Sequence, residues 1–131
     1  MGMNEPEAEA WQVVLEFNRA FAENDSRRYF AFVGEEITVF TPSNPYRVEG
    51  IEADRREFDA GLQSGTTRVE FFQELQPDVS VHGDVAVATY FTRGRYGPEG
   101  ATRAAYSKET DVLVRRDGTW RVVHVHVSAT G

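Results

Sequence analysis

Trp120-Arg121-Val122-Val123-His124-Val125-His126-Val127-Ser128 follows closely on Arg115-Arg116-Asp117-Gly118-Thr119, and the reading of that junction decides the fold. The run from Trp120 is β-branched, aromatic and alternating, the pattern of a half-buried strand. Asp117-Gly118 supports the positive φ values of a type I′ turn, so the stretch before it returns as an antiparallel partner. Working outward, Ala105–Arg116 and Val85–Arg95 have the same character, with Tyr96–Gly100 as the loop between them. His82-Gly83-Asp84 is a further hairpin turn, and Val79–His82 and Arg68–Leu75 complete a meander of strands.

The first half of the chain reads differently. Asn4-Glu5-Pro6-Glu7 is a helix start, because Asn caps orphan amides, Pro tolerates the first turn and Glu suits the positive helix end. Trp11, Val14, Leu15, Phe17, Phe21 and Ala22 then recur at helical spacing and form an apolar stripe that stops near Asn24. Asp25 caps a second short helix through Tyr29, Phe30 and Phe32, with Gly34 as its expected terminator. Ile37–Thr41 has strand character, and Pro42, Asn44 and Pro45 break it into a loop before Tyr46-Arg47-Val48. Ile51–Leu62 carries sparse apolar residues among many charges and predicts an exposed third helix ended by Gly61 and Gly65. Helices first and strands afterwards is the α+β plan, with three helices covering one face of a curved, mostly antiparallel sheet. Residues 1–131 are expected to form one domain, since no repeat or linker interrupts them.

Composition narrows the function. A net charge of −7, from 14 Lys+Arg against 21 Asp+Glu, leaves no basic footprint for a phosphate backbone, so nucleic acid is excluded as a partner. The absence of cysteine removes disulfides, thiolate nucleophiles and Cys-ligated metal. The acidic, polar stretch Met1–Ala10 has neither a basic region nor an apolar one, and no later run is long and apolar enough to span a membrane. A cytoplasmic protein with no membrane partner is the expectation. Gly94, Gly97 and Gly100 lack phosphate-cradling spacing, and Ser107 and Ser128 have no nucleophile-elbow context, so neither a nucleotide cofactor nor acyl chemistry is expected.

The stretch Tyr106-Ser107-Lys108-Glu109-Thr110 through Arg115–Ser128 resembles the association domain of calcium/calmodulin-dependent protein kinase II. The likeness continues through His82-Gly83-Asp84, Val48-Glu49-Gly50, Phe40 with Pro42, and Asn24-Asp25 with Tyr29. It implies the cone-shaped fold of the nuclear transport factor 2-like (SnoaL-like) superfamily, enclosing a pocket and pairing with another copy through the convex sheet. With no kinase domain in these 131 residues, a free-standing copy is expected. Where the resembling hubs place three arginines around the pocket, this chain holds Phe91, Asp111 and Val127. Their histidine and tryptophan fall at Asp54 and Leu62. That exchange disfavours a carboxylate ligand and favours a small neutral, apolar or cationic one. Against the ketosteroid isomerase branch, the general base falls at Thr41 and the oxyanion donor at Phe17, neither of which supplies that chemistry.

The resemblance and the strand phases together nominate Phe17, Thr41, Asp54, Leu62, Tyr90, Phe91, Arg93, Asp111, Val125 and Val127 as pocket residues. Asp111 is the candidate catalytic acid: among Phe91, Val125 and Val127 it loses hydration and its pKa rises, unless Arg93 pairs with it. Glu109 shares its strand face, but neighbouring Lys108 and Arg115 suggest a solvated or ion-paired edge. His124 and His126 share a face with Ser128, yet His82 lies in a distant turn, so packing and hydrogen bonding are expected in place of a metal site. Tyr90, Tyr96 and Tyr106 are placed by default in packing roles, at the pocket mouth or an interface. Apolar residues on both faces of the long strands predict a homodimer, because the helices can cover only one face. The expected function is a self-associating domain that binds a small neutral or apolar molecule without metal or other cofactor. The alternative is a cofactor-independent isomerase, cyclase or hydrolase that moves a proton through Asp111.

Overall fold

The computed structural model describes residues 2–130. Helix α1 spans Glu5–Ala22 and begins with a capping box, in which the Asn4 side chain accepts from the Glu7 amide and the Glu7 carboxylate accepts from the Asn4 amide. Its buried stripe is Ala10, Val14, Phe17, Asn18 and Ala20. Helix α2 is one short turn, Ser26–Phe30, capped by Asp25. Strand β1 (Val33–Phe40) follows, then the short β2 (Val48–Glu49), helix α3 (Ile51–Ser64), and four long strands: β3 (Val69–His82), β4 (Val85–Tyr96), β5 (Arg103–Arg116) and β6 (Thr119–Ala129).

The sheet order is β2-β1-β6-β5-β4-β3, antiparallel except where β1 runs parallel to β6, with Val39 beside Val125 and Phe40 beside His126. The β5–β6 hairpin turns on Asp117 (φ 52°) and Gly118 (φ 75°), the left-handed pair that the Asp-Gly dipeptide predicts. Both ends of the meander carry irregularities. Bulges interrupt β3 between Val69 and Phe71 and between Leu75 and Asp78, and another offsets β5 from β6 between Val112 and Leu113. Such bulges bend a sheet and increase its local twist.

All three helices lie on one face. α1 packs on β3, β4 and β6, α3 packs on β1 and β2, and α2 joins the two helices. Between them and the sheet lies the core, built from Val14 and Phe17 of α1, Ile37 and Val39 of β1, Ala86 and Ala88 of β4, Leu113 of β5, and Val122 and Val125 of β6.

Three local expectations change. Gly34 lies inside β1 and the α2 turn closes at Ala31, because the chain enters the sheet at Val33, one residue after Phe32. Gly61 does not end α3. It is buried mid-helix, where Thr67 fills the space a Cβ would need, and Gly65 (φ 79°) is the left-handed terminator. Val69–His82 forms one bulged strand, not two. Pro77 is accommodated next to a bulge on an edge strand, where a missing amide costs no ladder bond.

Candidate functional site

Inward-facing residues of the strands and the aromatic faces of the helices enclose a cavity of about 200 Å³. A second chamber of about 430 Å³ adjoins it and shares Thr41, Phe72, Glu109 and Val127 among its walls. The aromatic wall is continuous. Phe17 stacks on Tyr29 at 4.2 Å between ring centroids, Tyr29 meets Phe58 at 4.8 Å, and Phe21 meets Phe72 edge-on at 5.5 Å. Val125 and Val127 of β6 form the apolar floor. Tyr96 and Tyr106 line the outer chamber, and burial pushes the Tyr96 phenol up to about 12.

Behind that floor is a polar network with no cation. Tyr90 Oη lies 2.6 Å from Glu109 Oε2 and 2.6 Å from Asp111 Oδ2, and it accepts a hydrogen bond from Asn18 Nδ2 at 3.1 Å. The other Asn18 amide hydrogen goes to Glu74 Oε2 at 3.0 Å. Trp11 closes over Tyr90 with its ring edge-on at 5.3 Å. A phenol has a single proton, so it donates to one carboxyl only, and a second proton on the other carboxyl is needed to relieve the remaining short contacts among the three groups.

Asp111 is the protonated member. It is fully buried, its Oδ1 has no hydrogen-bond partner, and burial followed by the charge of Glu109 pushes its pKa well above the carboxylate range. Glu109 is also raised by burial, but it receives the Tyr90 hydroxyl and reaches both chambers. The chain of groups therefore runs from a neutral Asp111 through the Tyr90 hydroxyl to Glu109 at the cavity wall, a route along which a proton can shift.

Asp54 of α3 lines the same cavity; it is 9% exposed and its Oδ2 has no partner. Burial, and then the nearby Glu57 charge, raise its pKa to about 6. Glu57 itself accepts from the Tyr46 hydroxyl at 2.9 Å and also lines the cavity.

Of the residues nominated from sequence, Phe17, Thr41, Asp54, Val125 and Val127 line the cavity. Tyr90 and Asp111 form the buried layer behind Glu109, and Leu62 faces a separate small hollow beside Asn24 and Phe58. Phe91 and Arg93 do not belong to the site. Neighbours on a strand point to opposite faces, so with Tyr90 inward Phe91 is outward and 44% exposed. Arg93 shares that outer face and stacks over Phe71 at 5.7 Å, so it cannot neutralise Asp111. Glu109 is buried rather than a solvated edge, because Lys108 and Thr110 take the outer face on either side of it. Its signal was the two-residue alternation Glu109, Asp111, Leu113 along β5. Asn18 and Glu74 were missed. Asn18 sits four residues after Val14 on the buried stripe of α1, and that spacing was the available clue.

The histidines behave as packing residues. His124 Nδ1 and Thr38 Oγ1 are 2.7 Å apart, His126 Nε2 and Ser128 Oγ are 3.2 Å apart, and Phe40 packs on both rings. Among the described residues no group of three His, Cys, Asp or Glu is arranged to hold a metal ion, and no helix is long and apolar enough to cross a membrane.

Three helices packed on one face of a curved, mostly antiparallel sheet is the nuclear transport factor 2-like class of fold. Within that class, residues 6–131 match the family described as the calcium/calmodulin dependent protein kinase II association domain, and the chain belongs to it. Among solved structures, the association domain of C. elegans CaMKII is 28% identical with a TM-score of 0.73, covering 95% of this chain and 99% of that one. The S. rosetta CaMKII hub is 22% identical with a TM-score of 0.78, covering 98% and 100%. An NTF2-like protein of unknown function from Pseudomonas putida is 24% identical with a TM-score of 0.85, covering 98% and 90%.

Proposed function

We propose that the protein is a self-associating domain that holds a small molecule in its internal cavity. The cavity carries this reading. A fold that only needed a core would fill the space between α1, α3 and β6, whereas here aromatic side chains surround an accessible volume with a few convergent polar groups. Self-association is supported by the outer sheet face, where Phe71, Val85 and Phe91 are 42%, 38% and 44% exposed and no helix covers them. The family's name points the same way. A second copy packed face to face would bury these side chains. Equilibrium sedimentation at micromolar concentration tests it: a dimer or larger closed assembly is expected, and a monomer would overturn self-association.

The Asp111–Tyr90–Glu109 arrangement favours a second reading, a cofactor-independent enzyme that moves a proton within its substrate. On this reading Glu109, the member at the cavity wall, takes a proton from the substrate or returns one. Asp111 is the reservoir behind it, and Tyr90 relays between them. The isomerase, cyclase and hydrolase classes all contain such steps. Asp111→Asn leaves the cavity wall unchanged and removes the reservoir, so turnover would fall while ligand affinity holds. Loss of affinity with no turnover in the unsubstituted protein favours the binding reading.

A further inference from the structure

The charges around the cavity do not balance. Asp54, Glu57 and Glu109 are in its walls, and none of the 14 Lys and Arg residues lines either chamber. The ion pairs of the described residues, such as Arg116 with Glu36 and Arg115 with Asp84, all lie elsewhere, so these three carboxylates have no cationic partner among the described residues. Asp54 is the sharpest case. It is nine-tenths buried, and its Oδ2 has no hydrogen-bond partner, although a buried carboxylate oxygen is costly to leave unpaired. Phe17, Phe21, Tyr29, Phe58 and Phe72 line the same cavity, and aromatic rings attract a cation through their quadrupole.

We propose that the cavity takes an organic cation, an ammonium group on an apolar body, with the charge held by Asp54 and Glu109 and the body against the aromatic wall. This narrows the binding reading above and rests on it. An anionic ligand would meet three carboxylates and no donor cation. A neutral one would leave the charge of the site uncompensated. A primary or methylated ammonium supplies both the hydrogen to Asp54 Oδ2 and the missing charge, and the chamber of about 200 Å³ has room for a small ring or short alkyl body. Inorganic cations are disfavoured, because among the described residues no three His, Cys, Asp or Glu side chains are grouped to hold one.

Calorimetry with three probes of one shape tests this: benzylammonium, benzyl alcohol and benzoate, at pH 7.5 and low salt. Benzylammonium is expected to bind at least about tenfold tighter than either of the others, and Asp54→Asn and Glu109→Gln should each remove most of that preference. Retained thermal unfolding transitions in both variants would show that they fold. Benzyl alcohol or benzoate binding as well as benzylammonium would overturn the cation while leaving a small-molecule cavity. No saturable binding of any probe up to about 10 mM would overturn the cation proposal and the binding reading together.

Discussion

Asp54 and Asp111 are both buried acids, and their surroundings give them different roles. Asp54 has an ordinary pKa of about 4 in the unfolded chain and about 6 in the folded one, so the native state binds its proton more tightly. The sign follows: its stabilising protonation is fully present below about pH 4 and is lost as pH rises through 6, on the order of 2–3 kcal/mol. Asp54→Asn carries no such dependence. Its stability relative to the unsubstituted protein should therefore grow between pH 4 and pH 7, and urea midpoints across that range measure it; a constant difference would refute the assignment.

Asp111 has a raised pKa, from burial and then the charge of Glu109, so it is expected to remain protonated at neutral pH. Infrared difference spectra between this protein and Asp111→Asn should contain the carbonyl stretch of a protonated carboxyl at pH 7, and its absence would mean an ionised Asp111. Because the Asn amide also donates to a phenol oxygen, that variant should keep its stability within about 1 kcal/mol. Tyr90→Phe, which orphans two carboxyls and Asn18, should cost about 2–4 kcal/mol.

At the scale of elements, α3 depends on two glycines with different duties. Gly65 ends the helix in the left-handed region, while Gly61 gives Thr67 room to fold back against the helix. Gly61→Ala would place a methyl group 1.9 Å from the present position of Thr67 Oγ1. The helix and the following loop would have to separate, a loss of about 1–3 kcal/mol despite Ala's better helix propensity. Differential scanning calorimetry should register a lower Tm, and an unchanged or higher Tm would mean that Thr67 moves freely.

Most elements were legible in sequence because their signals are local. Asn4 and Glu7 make a capping box by spacing alone, Asp117-Gly118 dictates its turn, and alternation in β6 puts Val125 and Val127 on one side and His124 and His126 on the other. The site was legible only in part. Tyr90 and Phe91 were both nominated, although alternation admits only one of them, since the phase of β4 is set by its partners and not by its own composition. Glu109 looked like a solvated residue because its acceptor role depends on Tyr90 from the neighbouring strand and on Asn18 from a helix 91 residues earlier in the chain, counted from position 109 back to 18. No window around position 109 contains that information.

For the whole molecule, the sheet divides two tasks. Its inner face shapes the cavity, and its outer face presents Phe71, Val85 and Phe91 with Arg93 over Phe71. Phe91→Asp adds a charge to the outer face without touching the cavity, so it should dissociate the assembly in sedimentation while leaving probe binding intact. Dissociation together with loss of binding would mean that the cavity depends on the second copy.

The central claim is that the space enclosed by α1, α3 and β6 is a binding site whose acids lack a partner until a ligand arrives. A crystal structure of the protein grown with benzylammonium at pH 7.5 tests it most directly. Density is expected in the cavity with the ammonium nitrogen within hydrogen-bond distance of Asp54 or Glu109 and the ring against Phe17 or Phe72. A cavity closed by its own side chains, or the amine bound only on the outer surface, would contradict it.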